Sequence, residues 1–160
     1  MSAESSQSVP RPCACTTVRT ASRLLARVYE HALQDSTLNV TQLAVLRSID
    51  RMPGEPMIRV AEALSMDRTS IYRAVATMER HGWVRIDGGK DARSSTVAIT
   101  PLGRAMLDDA APYWDNVQSD IVDRFGRRRW RSLVAELQAL AETASKVEND
   151  QVARRARRGE

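Results

Sequence analysis

The sequence predicts a mainly α-helical fold with a small β-wing, which is an α+β arrangement. Apolar residues recur at spacings of three and four through most of the chain, which is the period of an amphipathic helix. Two short β-branched runs flank a glycine-rich, charged tip near the middle of the chain, and proline or glycine residues separate several segments. We therefore expect a winged helix-turn-helix lobe at 38–100 and a helical lobe formed by the N- and C-terminal helices.

The N-terminal part divides into a polar arm and a first helix. Residues 1–11 are serine-rich and polar, which predicts a flexible arm. Pro12 stands where a first helical turn can begin, because its fixed φ suits that position. The helix expected over 12–35 has an apolar seam, formed by Val18, Ala21, Leu25, Val28 and Ala32.

Two shorter helices are expected next. Asn39 and Gln42 have the spacing of a capping box ahead of an apolar series, and Pro53-Gly54-Glu55-Pro56 ends that helix. The inward face of the second short helix is formed by Val60, Ala61 and Leu64. In a helix-turn-helix, this helix positions the one that follows.

The following helix begins at Asp67, whose carboxylate can accept hydrogen bonds from the free N–H groups of the first turn. At about 100° per residue, its apolar side is formed by Ile71, Val75 and Met78. The opposite side is small, polar or cationic and is formed by Thr69, Arg73, Ala76 and Arg80, with Arg68 and Tyr72 on a flank. Such a face can approach a major groove, read base edges and neutralise phosphate. An ordinary solvated face is the alternative.

The segment after this helix predicts a β-hairpin. His81-Gly82 ends the helix, because glycine tolerates a left-handed conformation there. The expected strands are Trp83–Ile86 and Thr96–Ile99, and Asp87–Arg93 forms the tip between them. A tip of seven residues is too long for a two-residue hairpin turn, so we expect it to project from the body.

Lys90 and Arg93 give this tip two cations. A projecting loop can place a guanidinium in a minor groove, where the negative potential is deepest when the groove is narrow. Asp91 is close enough in sequence to orient Arg93 by an ion pair. These three residues are therefore candidates for contact with DNA.

Two motifs of this lobe resemble the multiple-antibiotic-resistance regulator (MarR) family of winged-helix repressors. The first is Asp91-Ala92-Arg93 followed by Ile99-Thr100-Pro101-Leu102-Gly103, in which isoleucine stands where the family usually has leucine. The second runs from Leu64 through Asp67-Arg68-Thr69-Ser70-Ile71 and Arg73 to Met78-Glu79-Arg80-x-Gly82, and it is similar to the family's recognition helix. The resemblance covers nearly the whole chain, from Val18 to Val147.

The resemblance implies a sequence-specific transcriptional regulator, a repressor that binds a pseudo-palindromic operator in double-stranded DNA as a homodimer. The implied contacts with DNA are Arg68, Thr69, Ser70, Tyr72 and Arg73 in the major groove, with Lys90, Asp91 and Arg93 at the wing. A sequence-neutral architectural DNA-binding protein and a dimeric protein-interaction adaptor without DNA binding are the alternatives.

The two helices after the wing also have apolar seams. Pro101 opens the first of them, and Pro112 should kink it or divide it near Ala111. Its seam is formed by Leu102, Met106, Ala110, Tyr113, Val117, Ile121 and Phe125. The near-heptad seam of the last helix, typical of a helix with a partner helix, is formed by Trp130, Leu133, Leu137, Leu140, Ala144 and Val147.

These seams predict a dimerisation region that comprises residues 12–35 and 101–148. A two-fold pair reads two half-sites about one helical turn of DNA apart, which a single small module cannot do. Packing of the seams inside one chain is the alternative. Residues 149–160 are expected to form a basic, flexible tail.

Composition and motifs exclude several classes of protein. The net charge of +4 and the isoelectric point near 9.6 indicate weak attraction to polyanions. No run approaches the roughly 18 apolar residues of a membrane span, and the N-terminus lacks a signal peptide, so a cytoplasmic protein is expected. The chain has no phosphate-loop motif or catalytic triad pattern, and adjacent Asp108 and Asp109 diverge on a helix. We expect neither an enzyme nor a cofactor.

Two features suggest how such a protein is controlled. Cys13 and Cys15 lie at the start of the first helix, where the dipole lowers a thiol pKa, so a redox switch and simple structural packing are both open. A metal site is not expected, since only two histidines are present. The other candidate is a pocket for a small lipophilic or phenolic ligand, lined by Tyr29, His31, Tyr113 and Trp114.

Overall fold

The computed structural model describes residues 12–88 and 95–159. These ranges contain six helices and two strands, which are α1 (Ala14–Ala32), α2 (Val40–Arg51), α3 (Met57–Ala63), α4 (Arg68–Arg80), β1 (Val84–Asp87), β2 (Thr96–Ile99), α5 (Pro101–Phe125) and α6 (Arg127–Arg158). The chain divides into two compact units at Val117 and Gln118. The predicted arm at 1–11 lies outside the described residues.

The predicted fold class is confirmed, because the protein is mainly helical and has one two-stranded antiparallel sheet. Its register pairs Val84 with Ile99 and Asp87 with Thr96. β1 is therefore shifted by one residue from the predicted Trp83–Ile86. Asp87 belongs to the sheet, and the Thr96 hydroxyl donates to its carbonyl at 3.3 Å. The Trp83 N–H instead donates to the Met78 carbonyl at the end of α4, at 3.0 Å.

One hydrophobic core holds the first unit together. Its fully buried side chains come from α2, α3, α4 and β2 and include Leu46, Ile49, Met57, Val60, Ile71, Val75, Met78 and Val97. The start of α3 is also tied to the sheet, since the Met57 N–H donates to the Ser95 carbonyl at 3.0 Å. The inward faces predicted for α2 and α4 are confirmed. In α3, Val60 and Ala61 are buried, whereas Leu64 is half-buried at the C-cap.

The starts of α1 and α2 differ in how they are capped. At α2, the Asn39 side chain accepts from the Gln42 N–H at 2.9 Å, and the Gln42 side chain accepts from the Asn39 N–H at 3.0 Å. The predicted capping box is therefore present. At α1, Cys13 is the N-cap, so the helix starts later than Pro12. None of the residues of α1 is buried.

α5 is one helix through Pro112, so of the two predicted effects the division near Ala111 is wrong, and the kink stays a prediction. Its predicted seam is confirmed at Met106 and Ala110, which pack in the core, but not at Leu102 and Tyr113. Leu102 and Tyr113 are 49% and 36% exposed, whereas Gly103 and Trp114 face the core. The close approach of Gly103 to Trp83 explains why Gly103 faces inward, because a methyl group at this position would overlap the Trp83 carbonyl oxygen.

The second unit contains the end of α5 and all of α6. Gly126 separates the two helices with a φ of 97°, which an L side chain rarely adopts. α6 continues to Arg158, and Gly159 ends it with a φ of 77°. The prediction of a flexible tail from residue 149 is therefore wrong for the described residues. After Asn149 and Asp150 the segment contains only glutamine, valine, alanine and arginine before Gly159, with no internal proline or glycine, which explains its helical structure. None of the helices in the described ranges has the length and apolarity needed to span a membrane.

Candidate nucleic-acid interface

A tight turn sets the position of α4 after α3. Ser65 has a φ of 50°, and the Met66 N–H donates to the Ala61 carbonyl at 2.9 Å. A positive φ at a residue other than glycine is uncommon and is held here by the packing on both sides. The turn brings Asp67 to the N-cap of α4, as predicted.

The Asp67 carboxylate organises the first turn of α4. It accepts from the Ser70 N–H at 2.9 Å and from the Ser70 hydroxyl at 2.6 Å. The hydroxyl bond, followed by the N–H bond, lowers the pKa of Asp67 below its ordinary value. The carboxylate is thus charged at neutral pH, and the Ser70 hydroxyl is left as an acceptor toward any ligand.

The two sides of α4 separate as the sequence predicts. Ile71, Val75 and Met78 are completely buried. The opposite side is exposed and contains Thr69, Arg73, Ala76 and Arg80. Arg80 donates to the Thr77 hydroxyl at 3.2 Å and so lies along the helix. In the part of the chain that the structure describes, the Arg73 guanidinium has neither a hydrogen bond nor an ion pair.

Tyr72 is placed differently from its neighbours on α4. It is half-buried and packs against the core. Its hydroxyl is enclosed and has no hydrogen-bond partner among the described residues. The Arg68 guanidinium lies 5.8 Å from the centre of the Tyr72 ring. In this conformation the hydroxyl is not presented to solvent, and only the ring and Arg68 border the exposed face.

A polar groove lies beside the exposed side of α4, and the sequence did not predict it. Its volume is about 520 Å³, and it is lined by Asn39, Thr41, Gln42, Met66, Ser70, Arg73, Ala74 and Thr77. α2 and α4 form its walls, so the start of α2 lies next to Arg73. The capping box located this start in the sequence, but only the packing of α2 against α4 brings it to the site.

The base of the wing is fixed to the helices on both sides of it. The Ile86 N–H donates to the Glu79 carboxylate of α4 at 3.4 Å. The Thr100 hydroxyl donates to the Gly82 carbonyl at 2.6 Å and accepts from the Gly103 N–H at 3.0 Å. His81 is the C-cap of α4, and its ring stacks on Trp83 at 4.7 Å. The hairpin therefore has a fixed attachment beside α4.

Arg85 and Asp87 form a bidentate pair on β1. The two bonds measure 2.7 and 2.8 Å, and both side chains are exposed. The hydrogen bonds with Arg85 lower the pKa of Asp87, and those with Asp87 raise the pKa of Arg85. The predicted wing contacts Lys90, Asp91 and Arg93 lie outside the described residues.

A cavity of about 350 Å³ lies within the first unit, between α1, α2 and α5. Tyr29 and Trp114 line it, as predicted. His31 and Tyr113 do not, because both are exposed on the outer sides of their helices. The remaining walls are Leu33, Val40, Leu43, Ala44, Arg47, Ser48, Arg51 and Leu64.

Two arginines, which the sequence prediction missed, give this cavity a positive charge. The Arg47 guanidinium lies 3.9 Å from the centre of the Trp114 ring. Burial lowers the pKa of Arg47, and repulsion from Arg51 lowers it further. Burial also raises the pKa of Tyr29. The cavity thus combines apolar walls with the half-buried guanidinium of Arg47 and the exposed one of Arg51, and an anionic group would compensate these charges.

Both cysteines are exposed and have free thiols. The interpretation of Cys13 and Cys15 as buried packing residues is therefore wrong for the single chain. The Thr16 N–H, and next its hydroxyl, lower the pKa of Cys13. This direction agrees with the position of Cys13 at a helix N-terminus. Within 12–88 and 95–159, no group of three or more potential ligands is placed to hold a metal ion.

Comparisons with known proteins fit this geometry. A model of the IclR helix-turn-helix domain matches residues 42–88. The transcriptional regulator HosA of Escherichia coli O127:H6 is 31% identical over 97 residues, which cover 60% of this chain and 70% of that protein. The crystal structure of the Mycobacterium tuberculosis transcriptional regulator MosR in complex with DNA is 36% identical, has a TM-score of 0.70, and covers 83% of this chain and 98% of that one. A MarR-family regulator from Rhodococcus, 22% identical with a TM-score of 0.68 over 80% of this chain and 93% of that one, shares the fold.

The enclosed hydroxyl of Tyr72 leads to a prediction about stability. Because a buried polar group without a partner costs free energy, Tyr72→Phe should raise the free energy of unfolding by about 1 kcal/mol. Urea denaturation followed by circular dichroism measures this change. Tyr113→Phe is the control, since the Tyr113 ring is exposed, and it should leave the stability unchanged. A loss of stability in Tyr72→Phe would mean that the hydroxyl has a partner in solution.

Proposed function

The chain belongs to the winged helix-turn-helix transcriptional regulators, and we propose that it is a homodimeric repressor of the MarR type that binds a pseudo-palindromic operator. The prediction that it is not an enzyme is confirmed, since its relatives are transcriptional regulators. The MarR assignment is supported by the Asp91-Ala92-Arg93 motif and the Rhodococcus neighbour, whereas the matching domain model is that of IclR.

The exposed side of α4 is the observation that carries this proposal. The side is free of acidic residues, and the Arg73 guanidinium is unengaged within the described chain while the helix below it is fully packed. We assign major-groove contact to Arg68, Thr69, Ser70, the Tyr72 ring and Arg73. Lys90 and Arg93, with Asp91 orienting Arg93, are assigned to the minor groove. The attachment of the wing base to α4 supports a hairpin that acts beside this helix.

The homodimer is proposed from apolar surface that one chain leaves uncovered. Val18, Leu24 and Val28 of α1 are exposed, and so are Leu137 and Val147 of α6. Rows of exposed apolar side chains at helical spacing are typical of an interface. We propose that residues 12–35 and 101–148 form the dimerisation region and that 38–100 form the DNA-binding domain.

We propose that a small ligand in the 350 Å³ cavity relieves repression. The aromatic and aliphatic walls suit the lipophilic or phenolic molecule expected from the sequence, and Arg47 and Arg51 extend this to an aromatic acid. The cavity lies between α1 and α5 of the dimerisation region and α2 of the DNA-binding domain. The two DNA-binding domains of the dimer must have the separation that fits the operator. A ligand that binds more tightly when the domains have another separation would lower the affinity for DNA, by a factor set by the difference between its affinities for the two states.

Oxidation of a thiol is a second candidate mechanism for relieving repression, and the exposure of Cys13 favours it. Its thiolate would attack a peroxide, forming sulfenic acid and releasing the second peroxide oxygen as water. Cys15, a second exposed thiol in the same turn, is the natural comparison.

The proposed DNA contacts predict distinct effects of three substitutions. Arg93→Ala should weaken operator binding about tenfold or more without unfolding the protein, and Arg73→Ala should cost about 1–3 kcal/mol and relax the sequence preference. Lys90→Ala should weaken binding to all sequences and flatten the salt dependence. Titration of labelled operator and random duplexes measures these effects, and Arg80→Ala, whose guanidinium is held by Thr77, should have a smaller effect.

The same titrations separate the alternatives. A regulator should prefer its operator over random DNA by a factor of at least about 10³. An architectural DNA-binding protein would show a ratio near unity, and a protein-interaction adaptor would not bind either duplex. Size-exclusion chromatography with light scattering tests the dimer, and a monomer at micromolar concentration would contradict it.

The cavity predicts preferential binding of aromatic carboxylates. Arg47→Gln should weaken the binding of a benzoate-type ligand about ten- to hundredfold, because a charge-assisted hydrogen bond contributes roughly 1.5–3 kcal/mol. Isothermal titration calorimetry measures the affinity, and the uncharged aromatic amide should bind both proteins equally. Arg59→Gln is the matched control, since Arg59 is exposed and paired with Glu62. Equal affinity of wild type and Arg47→Gln for the carboxylate would contradict this assignment.

The lowered pKa of Cys13 predicts selective reactivity. The thiolate fraction rises as the pH passes the pKa, so a lowered pKa makes Cys13 react faster than an ordinary thiol near neutral pH. Alkylation by iodoacetamide followed by mass spectrometry should label Cys13 before Cys15. Peroxide should lower operator affinity in the wild type and in Cys15→Ser, but not in Cys13→Ser. Equal loss in all three proteins would rule out the thiol mechanism.

A further inference from the structure

The last eight residues of α6, Gln151–Arg158, contain four arginines and no acidic residue. We call this stretch the arginine segment. It is helical throughout, and Val152, Ala153 and Arg154–Arg157 are exposed. Because the backbone is regular here, the positions of the arginines around the helix follow from the helical period.

The arginines lie on one side of the helix. At about 100° per residue, positions 154, 155 and 157 fall within an arc of roughly 160°. The rest of the circumference is occupied by Val152, Ala153 and Ala156. The segment therefore presents a continuous cationic strip and not an evenly distributed charge.

This strip continues the apolar seam of α6. The seam residues Leu133, Leu137, Leu140, Ala144 and Val147 alternate spacings of four and three, and the next positions in that register are Gln151, Arg154 and Arg158. A partner helix on the seam would bury unpaired arginines if it extended past Gln151, which is strongly unfavourable. Such a helix would therefore end near Val147, which leaves the arginine segment, about 12 Å long, uncovered.

Helix stabilisation alone does not explain the strip. Cations near a helix C-terminus interact with the dipole, but this effect is confined to the last turn. In α6, which ends at Arg158, the last turn includes Arg155 and Arg157 but not Arg154. Among the residues that the structure describes, Arg154, Arg155 and Arg157 form no ion pair. Asp150, one turn before Arg154, is the nearest carboxylate in sequence on that side. The charge of the strip is thus available to a partner.

We propose that the arginine segment is a second DNA contact, which binds backbone phosphates irrespective of sequence. The inference rests on the proposed DNA-binding function, because that function already brings a polyanionic duplex to the protein. Arginine binds phosphate oxygens through paired N–H donors, and a strip of such side chains follows a regularly spaced row of phosphates. The contact adds affinity and salt dependence, and it leaves sequence preference to α4 and the wing.

The test compares two double variants of full-length protein that each remove two charges from α6. Arg154→Gln with Arg155→Gln alters the strip, and Arg128→Gln with Arg131→Gln is the matched control at the other end of the helix. Glutamine has nearly the helix propensity of arginine, so α6 should persist, and circular dichroism verifies this. The measurement is the slope of log affinity against log salt concentration for operator and random duplexes of equal length.

The strip variant should lower the magnitude of the slope by about 2–4 on both duplexes, since each lost phosphate contact contributes roughly 0.9 and the proposed dimer loses two contacts from each chain. Its ratio of operator to random affinity should equal that of the wild type, and the control should retain the wild-type slope. An unchanged slope in a helical strip variant would overturn the inference, and so would an equal decrease in the control.

Three further outcomes show which part of the proposal has failed. If wild-type protein and Arg73→Ala show the expected DNA binding but the strip variant has the wild-type slope, only the second contact is wrong. If the wild type does not bind either duplex, the proposed function itself fails. Loss of binding to phosphatidylserine vesicles in the strip variant, with DNA binding unchanged, would assign the strip to an anionic membrane and overturn the DNA contact.

Discussion

The close approach of α5 to the end of α4 is the constraint on which the rest of the first unit depends. Gly103 lies against the Trp83 carbonyl, and Thr100 joins the Gly82 carbonyl to the Gly103 N–H through its hydroxyl. Since glycine alone fits at this distance, the contact fixes both the rotation of α5 and the start of the wing. The exposed side of α4, the strand pair and the walls of the 350 Å³ cavity all take their positions from this junction.

In this unit, carboxylates cap helices, brace the sheet or pair with arginines such as Arg85 and Arg104, whereas the exposed side of α4 keeps one arginine unpaired among the described residues. Asp67 caps α4, Glu79 accepts from the first strand, and Asp87 holds Arg85. Arg73 has no such partner in the described chain. Attraction to a polyanion is stronger when the protein's own carboxylates do not compete for the cations, so the arrangement favours contact with phosphate.

The elements that local chemistry determines were predictable from the sequence. The capping box at Asn39, the cap at Asp67 and the two sides of α4 each follow from neighbouring residues, and the structure has all three. The exposure of Leu102 and Tyr113 was not predictable, because it depends on the contact of Gly103 with the Trp83 carbonyl, which is distant in sequence and is brought close only when the chain folds. The same packing of α5 turns Trp114 into the cavity, as predicted, and leaves Tyr113 exposed, so the placement of Tyr113 in the cavity was wrong. The continuation of α6 to Arg158 was missed for another reason. A run of like charges favours a disordered tail, but the helix propensity of arginine, alanine and glutamine outweighs this repulsion here.

The stacking of Arg47 on Trp114 has a practical consequence. The Arg47 guanidinium covers the Trp114 indole ring, so the ring has a polarised and partly dehydrated environment. Any molecule that enters the cavity and binds Arg47 must change this environment. The wavelength and intensity of the fluorescence of this tryptophan depend on its environment. The protein thus contains its own optical reporter of occupancy, which can be followed in real time without attaching a dye.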